Sequence, residues 1–223
     1  MKSRKIIKVA IDSPSAAGAG SISRKIAKHY NLIYCDTGKI YRLLAYALMG
    51  KKVKNKIKYL KKVGKKINLK KLQNKNLLSN EVAYVASQIA KDIKVRKIVF
   101  KFQKKIAYNP PKKYNGSCLD GRDITHVIVP DADFKFYITA NLHERSKRRF
   151  KELKKLGKKV SFKEVLKSMK NRDRSDKTRT HSMLKKTKDS YLINTTGLTI
   201  RDGFLKIKKI MDKKLKEKYG RNL

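Results

Sequence analysis

The chain has 223 residues, 40% of them apolar, and a formal net charge of +43. This length and apolar content suit one α/β domain carrying insertions and exclude a disordered chain or one too small to bury a core. The charge implies anionic partners such as nucleotides, nucleic acids or acidic lipids. Most of it is lysine, spread as Lys-Lys pairs from end to end, without the concentrated arginine and aromatic patch of a compact nucleic-acid site. The charge therefore says that the chain handles anions, and no more.

Residues 6–11 form a short apolar run rich in β-branched side chains and read as a buried strand. The run ends in Asp12 and a loop of small residues, Ser13, Pro14, Ser15, Ala16, Ala17, Gly18, Ala19, Gly20 and Ser21. Helical spacing resumes at Ile22, Ile26 and Tyr30. A second short strand is expected over 32–35, followed by Asp36-Thr37-Gly38 and a helix from about Ile40 that carries Leu43, Leu44, Ala47 and Leu48. Residues 51–80 are loaded with lysine, yet Ile57, Leu60, Val63 and Ile67 keep helical spacing, so this stretch reads as a surface insertion. A long helical pattern runs from Asn80 through Val82, Val85, Ile89 and Ile93, and a second carries Val95, Ile98, Phe102 and Ile106 to a stop at Pro110-Pro111.

Residues 117–119 are a third strand candidate, leading into Asp120-Gly121-Arg122-Asp123. Phe134, Phe136 and Ile138 alternate with Lys135, Tyr137 and Thr139, which is strand periodicity. Residues 144–170 are highly charged and helical, broken at Gly157. A last strand is expected over 191–193, ending at Asn194-Thr195-Thr196-Gly197, and Ile200, Phe204, Ile207, Met211 and Leu215 mark an amphipathic C-terminal helix. Five short strands alternating with helices predict a parallel sheet with helices on both faces. Ligands of such sheets bind at the carboxyl ends of the strands, where the clusters 12–21, 36–38, 120–123 and 194–197 all fall.

Cys35 and Cys118 each end an apolar run and are expected as buried thiols, with no disulfide or zinc spacing, and the histidines show no paired ligand spacing. The basic, then apolar N-terminus is interrupted by Lys8 and followed by no cleavage pattern. No stretch reaches the roughly 18–20 apolar residues that cross a bilayer. A soluble cytoplasmic protein without membrane partners is expected.

A standard phosphate loop, G-x-x-x-x-G-K-[ST], cradles phosphate oxygens in backbone N–H groups, reaches the β and γ phosphates with its lysine and holds Mg²⁺ with its hydroxyl. The 13–21 loop matches that pattern poorly and, taken alone, equally suits a generic turn before a helix. Three further clusters shift the balance. Asp36-Thr37-Gly38-Lys39-Ile40-Tyr41-Arg42 and Asp120-Gly121-Arg122-Asp123 place arginines and acceptors after strands, and Arg172 to Arg179 alternates in charge. An arginine there can fork onto phosphate, and Asp123 can accept from an exocyclic amine.

With these segments in this order the chain resembles the bacterial cytidylate kinases, small nucleoside monophosphate kinases of the phosphate-loop fold. The resemblance runs from about Ile6 to the C-terminal helix. It rests on D-T-G-K-I-Y-R at 36–42, N-E-V-A-Y-V-A-S-Q at 80–88, V-R at 95–96, D-G-R-D at 120–123, V-P-D-A at 129–132, E-R-S-K-R-R at 144–149, R-D-R-S-D at 172–176 and T-T at 195–196. It implies a core over 1–42, 114–144 and 176–223, a monophosphate-binding insertion over 43–113 and a lid over 145–175. It implies that the chain transfers a phosphoryl group from ATP, with Mg²⁺, to CMP or dCMP, as a monomer with no specific nucleic-acid partner.

By the same resemblance the 13–21 loop would hold the ATP phosphates, with Ser21 offering its hydroxyl to Mg²⁺. Ser87, Arg96 and Asp123 would recognise cytosine. Arg42, Arg122 and Arg179 would hold the CMP phosphate, and Arg172 and Asp176 the sugar. Ser15, Thr37 and Asp120 fall on nucleotide-site positions. Arg145, Arg148 and Arg149 would belong to a lid closing over the transferring group, with Arg122, Arg145, Arg149 and Arg179 as its catalytic charges. Three departures stand out: the family usually has glycine where this chain has Ser13 and Ala16, and lysine where it has Ala19. Loss of one such charge at the reacting phosphate can cost about 3–4 kcal/mol, which keeps open a nucleotide-binding pseudoenzyme. Lys39 or the lid arginines are candidates to replace the charge. A basic RNA-binding protein is the reading that charge alone would favour, and an adenylate-type kinase is disfavoured by D-G-R-D and N-E-V-A.

Overall fold

The computed structural model of the chain describes residues 5–220; the outermost limits of the expected core, 1–4 and 221–223, lie outside them. Five parallel strands, β1 (Ile7–Asp12), β2 (Leu32–Asp36), β3 (Gly116–Gly121), β4 (Phe134–Thr139) and β5 (Tyr191–Asn194), form one sheet in the order β2-β3-β1-β4-β5. Alternate side chains divide the core between the two faces, as period-2 geometry requires. Val9, Ile11, Cys118, Phe134, Phe136 and Ile138 pack with helices α1 (Ala19–His29) and α8 (Ile200–Tyr219). Ala10, Ile33, Cys35 and Leu119 pack on the other face with α2 (Thr37–Leu48), α3 (Lys56–Lys65), α4 (Asn80–Ile89) and α5 (Ile93–Tyr108). Residues 43–113 therefore contribute to the same hydrophobic cluster as one face of the sheet. Both cysteines are buried and free.

The remaining helices, α6 (Leu142–Lys155) and α7 (Phe162–Thr178), pair through a small cluster of their own, Leu153, Val165 and Met169. The expected break at Gly157 is present: its φ of +70° lets the chain turn back, and Lys158 N–H closes onto the Leu153 carbonyl at 3.0 Å. A Ser161–Glu164 capping box then starts α7.

Elsewhere local chemistry moved the boundaries read from periodicity. The helix expected from Ile40 begins at Thr37, because Asp36 accepts from Lys39 N–H and caps it. The pattern from Asn80 to Ile93 ends at Ile89; Asp92 accepts from Lys94 N–H and starts α5 as a separate helix. Residues 51–80 fold as α3 and two short 3₁₀ turns. A π turn over Ile124–Ile128 has no counterpart in the sequence reading.

Candidate active site

The strand register sets out the floor of the site. Ile11 stands opposite Asp120, Asp12 opposite Gly121, and Asp36 opposite Asp120, so the acidic ends of β1, β2 and β3 lie in one row. Neighbouring strands are only about 4.8 Å apart. Burial pushes the Asp120 carboxyl well above its usual range, and the Asp36 charge beside it adds to the effect. Asp120 is faced by the Tyr34 hydroxyl at 3.3 Å, while its own carbonyl accepts from Thr37 Oγ1 at 2.7 Å. Gly121 follows because no side chain fits there: a Cβ would lie 2.4 Å from Thr37 Oγ1.

The loop after β1 runs directly into the N-terminus of α1. Gly18, at φ +84°, precedes the first residue of the helix with no side-chain cap, so the N–H groups of the first turn are left for a ligand. Ala16 sits at φ +59°, a left-handed conformation that costs an L-residue about 1–2 kcal/mol. Its methyl packs against the Leu153–Val165–Met169 cluster, which offsets that strain and ties the loop to α6 and α7. From beneath, Thr195 Oγ1 donates to the Ala17 carbonyl at 2.9 Å.

Three arginines of α6 act around this loop. Arg145 donates to the Ser15 carbonyl at 3.2 Å and to the Ala140 carbonyl at 2.9 Å, and forks onto Asp173 of α7 at 3.0 and 2.5 Å. Arg148 donates to the Thr195 and Leu198 carbonyls at 2.8 and 3.4 Å and pairs with Glu144 at 3.0 Å. Arg145 and Arg148 are thus fastened to the core side of the site. Arg149 pairs with Glu152 at 2.8 Å and faces Arg42 and Arg172 electrostatically.

Beside the loop, positive charge outnumbers negative. Arg42, Arg122, Arg149, Arg172 and Arg179 interact across a space whose central carboxylate is Asp176. Arg122 donates through Nε to Asp176 at 2.8 Å and through Nη1 to the Gly121 carbonyl at 3.2 Å. Burial opposes the Arg122 charge, but Asp176, with Asp120 and Asp12, together outweighs it and the net shift is upward; Asp176 is held low in return by Arg122 and Arg172 despite its own burial. Arg172 feels Asp176 only at a distance, with no ion pair among the described residues: burial, with Arg122, Arg42 and Arg149 nearby, lowers it to about 10. Arg42 donates to the Leu77 carbonyl at 2.9 Å, and Arg179 through Nε to the Ser182 carbonyl at 2.6 Å. Arg179 Nη2 is buried without a hydrogen-bond partner among the described residues. Buried donors are normally satisfied, so this arrangement asks for an anion.

Further along the same face Arg96 and Asp123 form an ion pair, 8% and 4% exposed. Arg96 also donates to Ser182 Oγ and the Ala90 carbonyl, each at 3.1 Å, and its guanidinium lies 5.5 Å from the Tyr41 ring centroid. Asp123 opens the π turn, which Asp12 secures by accepting from Ile124 N–H, Thr125 N–H and Thr125 Oγ1 at 2.7, 2.9 and 2.6 Å. Ser87, expected here, lies on α4 with its hydroxyl turned to the Tyr84 carbonyl at 2.7 Å and is not joined to the group.

Burial lifts the Asp12 carboxyl to about 6, against the three donors that favour its charge. A carboxylate with a raised folded pKa contributes stability at low pH that is lost as pH rises through that value. Relative to Asp12→Asn, the wild-type chain is therefore expected to lose roughly 3 kcal/mol of unfolding free energy between pH 4 and pH 6.5. Urea titrations of both proteins across that range check it; parallel stability curves would rule it out.

Sequence reasoning missed Asp12, Asp173, Ser182 and the structural use of Thr195. Asp173 was in view within an alternating charge run, but only the α6–α7 pairing shows which arginine it serves. Asp12 carried a signal, an acid at the end of an apolar run, whose partners lie more than a hundred residues away.

Five parallel strands in the order β2-β3-β1-β4-β5 with helices on both faces, and a small-residue loop running from the central strand into a helix N-terminus, make this a phosphate-loop kinase fold. An uncharacterized protein from Eubacterium ventriosum shares that fold at a TM-score of 0.54 and 18% identity, over 93% of this chain and 99% of that one. The cytidylate kinase family profile matches residues 9–213. The chain is 41% identical to a cytidylate kinase of Bartonella tribocorum over 201 residues, 88% of this chain and 90% of that one. It is 35% identical to a cytidylate kinase of Brucella suis biovar 1 over 213 residues, 95% of each. The chain belongs to the cytidylate kinase family.

Proposed function

We propose that this protein transfers the γ-phosphoryl group of ATP to CMP or dCMP, giving CDP or dCDP and ADP. The arginine ring around Asp176, with the unpartnered Arg179 Nη2, carries this reading. It is an anion site beside, and distinct from, the backbone cradle of the 13–21 loop. In the reaction an oxygen of the CMP phosphate attacks the γ-phosphorus in line, the bond to the β–γ bridging oxygen breaks, and ADP leaves with the electron pair. Such a transfer needs positioning and positive charge, with little covalent help from the protein.

The loop N–H groups hold the donor phosphates; Arg42, Arg122 and Arg179 hold the acceptor phosphate, with Arg172 and Asp176 at its sugar. Arg149 and Arg145 add charge from the lid over 145–175; Arg42, the last core residue before the insertion over 43–113, and Arg96 within that insertion come from the acceptor side. Asp123 accepts from the cytosine amino group: its second carboxylate oxygen takes no hydrogen bond from the described residues, and Arg96 fixes the first. Ser87 joins only by turning its hydroxyl away from α4.

The residues near the loop also suit Mg²⁺. Ser21, Asp36 and Asp120 offer oxygen donors only, and a cation there would offset the burial, and the smaller repulsion from Asp36, that lift Asp120. Among the described residues no three acidic, histidine or cysteine side chains cluster, so phosphate and water would complete the shell. When bound, the ion neutralises charge on the donor phosphates. No described helix is long and apolar enough to cross a membrane, and we place the enzyme in the cytoplasm.

A coupled assay with ATP, Mg²⁺ and a panel of nucleoside monophosphates tests the proposal. CMP and dCMP are expected to be used far better than UMP, because uracil turns a carbonyl lone pair towards Asp123, and AMP and GMP are expected to be poor. Equal efficiency for CMP and AMP would overturn the specificity, and nucleotide binding without turnover would return the pseudoenzyme.

A further inference from the structure

The loop has no lysine. Ala19 puts a methyl, 5% exposed, into the core with Ile22 and Ile26. A phosphate loop usually delivers a cation to the β and γ phosphates from that position. Lys39 starts from a poor place to do so. It follows β2, the edge strand, with β3 between it and the loop strand β1, a distance on the order of 10 Å at strand spacing.

Arg24 starts closer. It lies on α1, three residues after Ser21 and four after Gly20, so all three share one helix face. Helical side chains tilt towards the N-terminus, and Arg24 accordingly reaches back to the loop. Its Nη2 donates to Ser21 Oγ at 3.3 Å. A Cβ on Gly20 would lie 3.8 Å from Arg24 Nη1, 3.4 Å from Asp120 Oδ2 and 3.5 Å from the Tyr34 hydroxyl. These are ordinary contact distances, so the Arg24 guanidinium, the Asp120 carboxylate and the Tyr34 hydroxyl all lie around Gly20 at the start of α1. The charge also rests over the Tyr34 ring, 5.7 Å from its centroid, and lowers the pKa of Asp120 against the larger effects of burial and Asp36. Arg24 itself is exposed, so leaving this position costs little desolvation.

We propose that Arg24 supplies to the ATP phosphates the positive charge that Ala19 does not. This rests on the kinase reading above. With ATP bound, the guanidinium moves from Ser21 Oγ onto phosphate oxygens, for which its planar fork is suited. Ser21 Oγ is freed in the same motion.

The test uses Arg24→Ala, Arg24→Lys, Ala19→Lys and the double variant Arg24→Ala/Ala19→Lys. Steady-state kinetics are measured with ATP and CMP varied separately, ADP affinity by calorimetry, and thermal unfolding as a check on the fold. Arg24→Ala is expected to lower kcat/KM for ATP about 10²-fold or more, as removal of a transition-state donor does, and to weaken ADP, with KM for CMP unchanged. Arg24→Lys should keep part of the activity, and the double variant should recover most of it. Unchanged ATP kinetics and ADP affinity in Arg24→Ala would overturn the proposal. So would a loss shared equally by ATP and CMP with no recovery in the double variant, which marks a structural role. If the wild-type chain has no turnover the kinase reading fails, and the ADP titrations alone decide: equal affinity in wild type and Arg24→Ala overturns the role of Arg24.

Discussion

Arg122→Ala is expected to lower kcat/KM for CMP about 10- to 150-fold, the equivalent of roughly 1.5–3 kcal/mol for a hydrogen bond to a charged group. Asp176 and the Gly121 carbonyl already hold its guanidinium in place, so little order remains to be imposed when the acceptor phosphate arrives. Arg42→Ala should show a loss of the same order, since Arg42 faces the same space from α2. Lysine should rescue neither variant fully, because an ammonium cannot fork onto two phosphate oxygens. Kinetics with CMP varied at saturating ATP measure the effect, with an unchanged KM for ATP and a chain still folded at the assay temperature as controls. Wild-type kinetics in both variants would remove these arginines from the acceptor site.

Arg96→Ala is expected to cost about 3–5 kcal/mol of folding stability, because it strands the Asp123 carboxylate in a buried place. The contacts to Ser182 and Ala90 go with it. Asp123→Ala should cost a similar amount by stranding the guanidinium. Removing both, Arg96→Ala with Asp123→Ala, should cost less than the two single changes added together, since no charge is then left without its partner. Urea unfolding of the four proteins closes the cycle. Additive losses would mean that the two side chains act independently and that the pair is not what positions Asp123.

Much of the core was legible because its determinants are local. β-Branched apolar runs at Ile7, Val9, Ile11 and at Leu32, Ile33 make strands wherever both faces are covered. Small residues from Ser13 to Ser21 permit only a tight loop before a helix, and the missing lysine at Ala19 could be read directly. Gly121, Arg122 and Asp123 were placed at a strand end by their sequence alone, and the strand register puts them there.

Pairings were not legible, because they depend on which elements become neighbours and in which direction a side chain leaves its backbone. Arg145 with Asp173 and Arg122 with Asp176 require α7 to fold back along α6 and over the end of β3. The π turn at Ile124–Ile128 exists because Asp12, brought alongside Gly121 by the strand register, takes both of its first N–H groups; no propensity within the turn announces it. Nothing in the sequence reading singles out Arg24. The backward tilt of its side chain along α1 is what brings it to Ser21 and Gly20. The sequence by itself determined the sheet, the small-residue loop after its first strand, the arginine-bearing end of its third and the absence of a loop lysine. The tertiary structure decided which arginines are held by carboxylates and which are left for a ligand, since that follows from distances across the sheet that spacing along the chain does not encode.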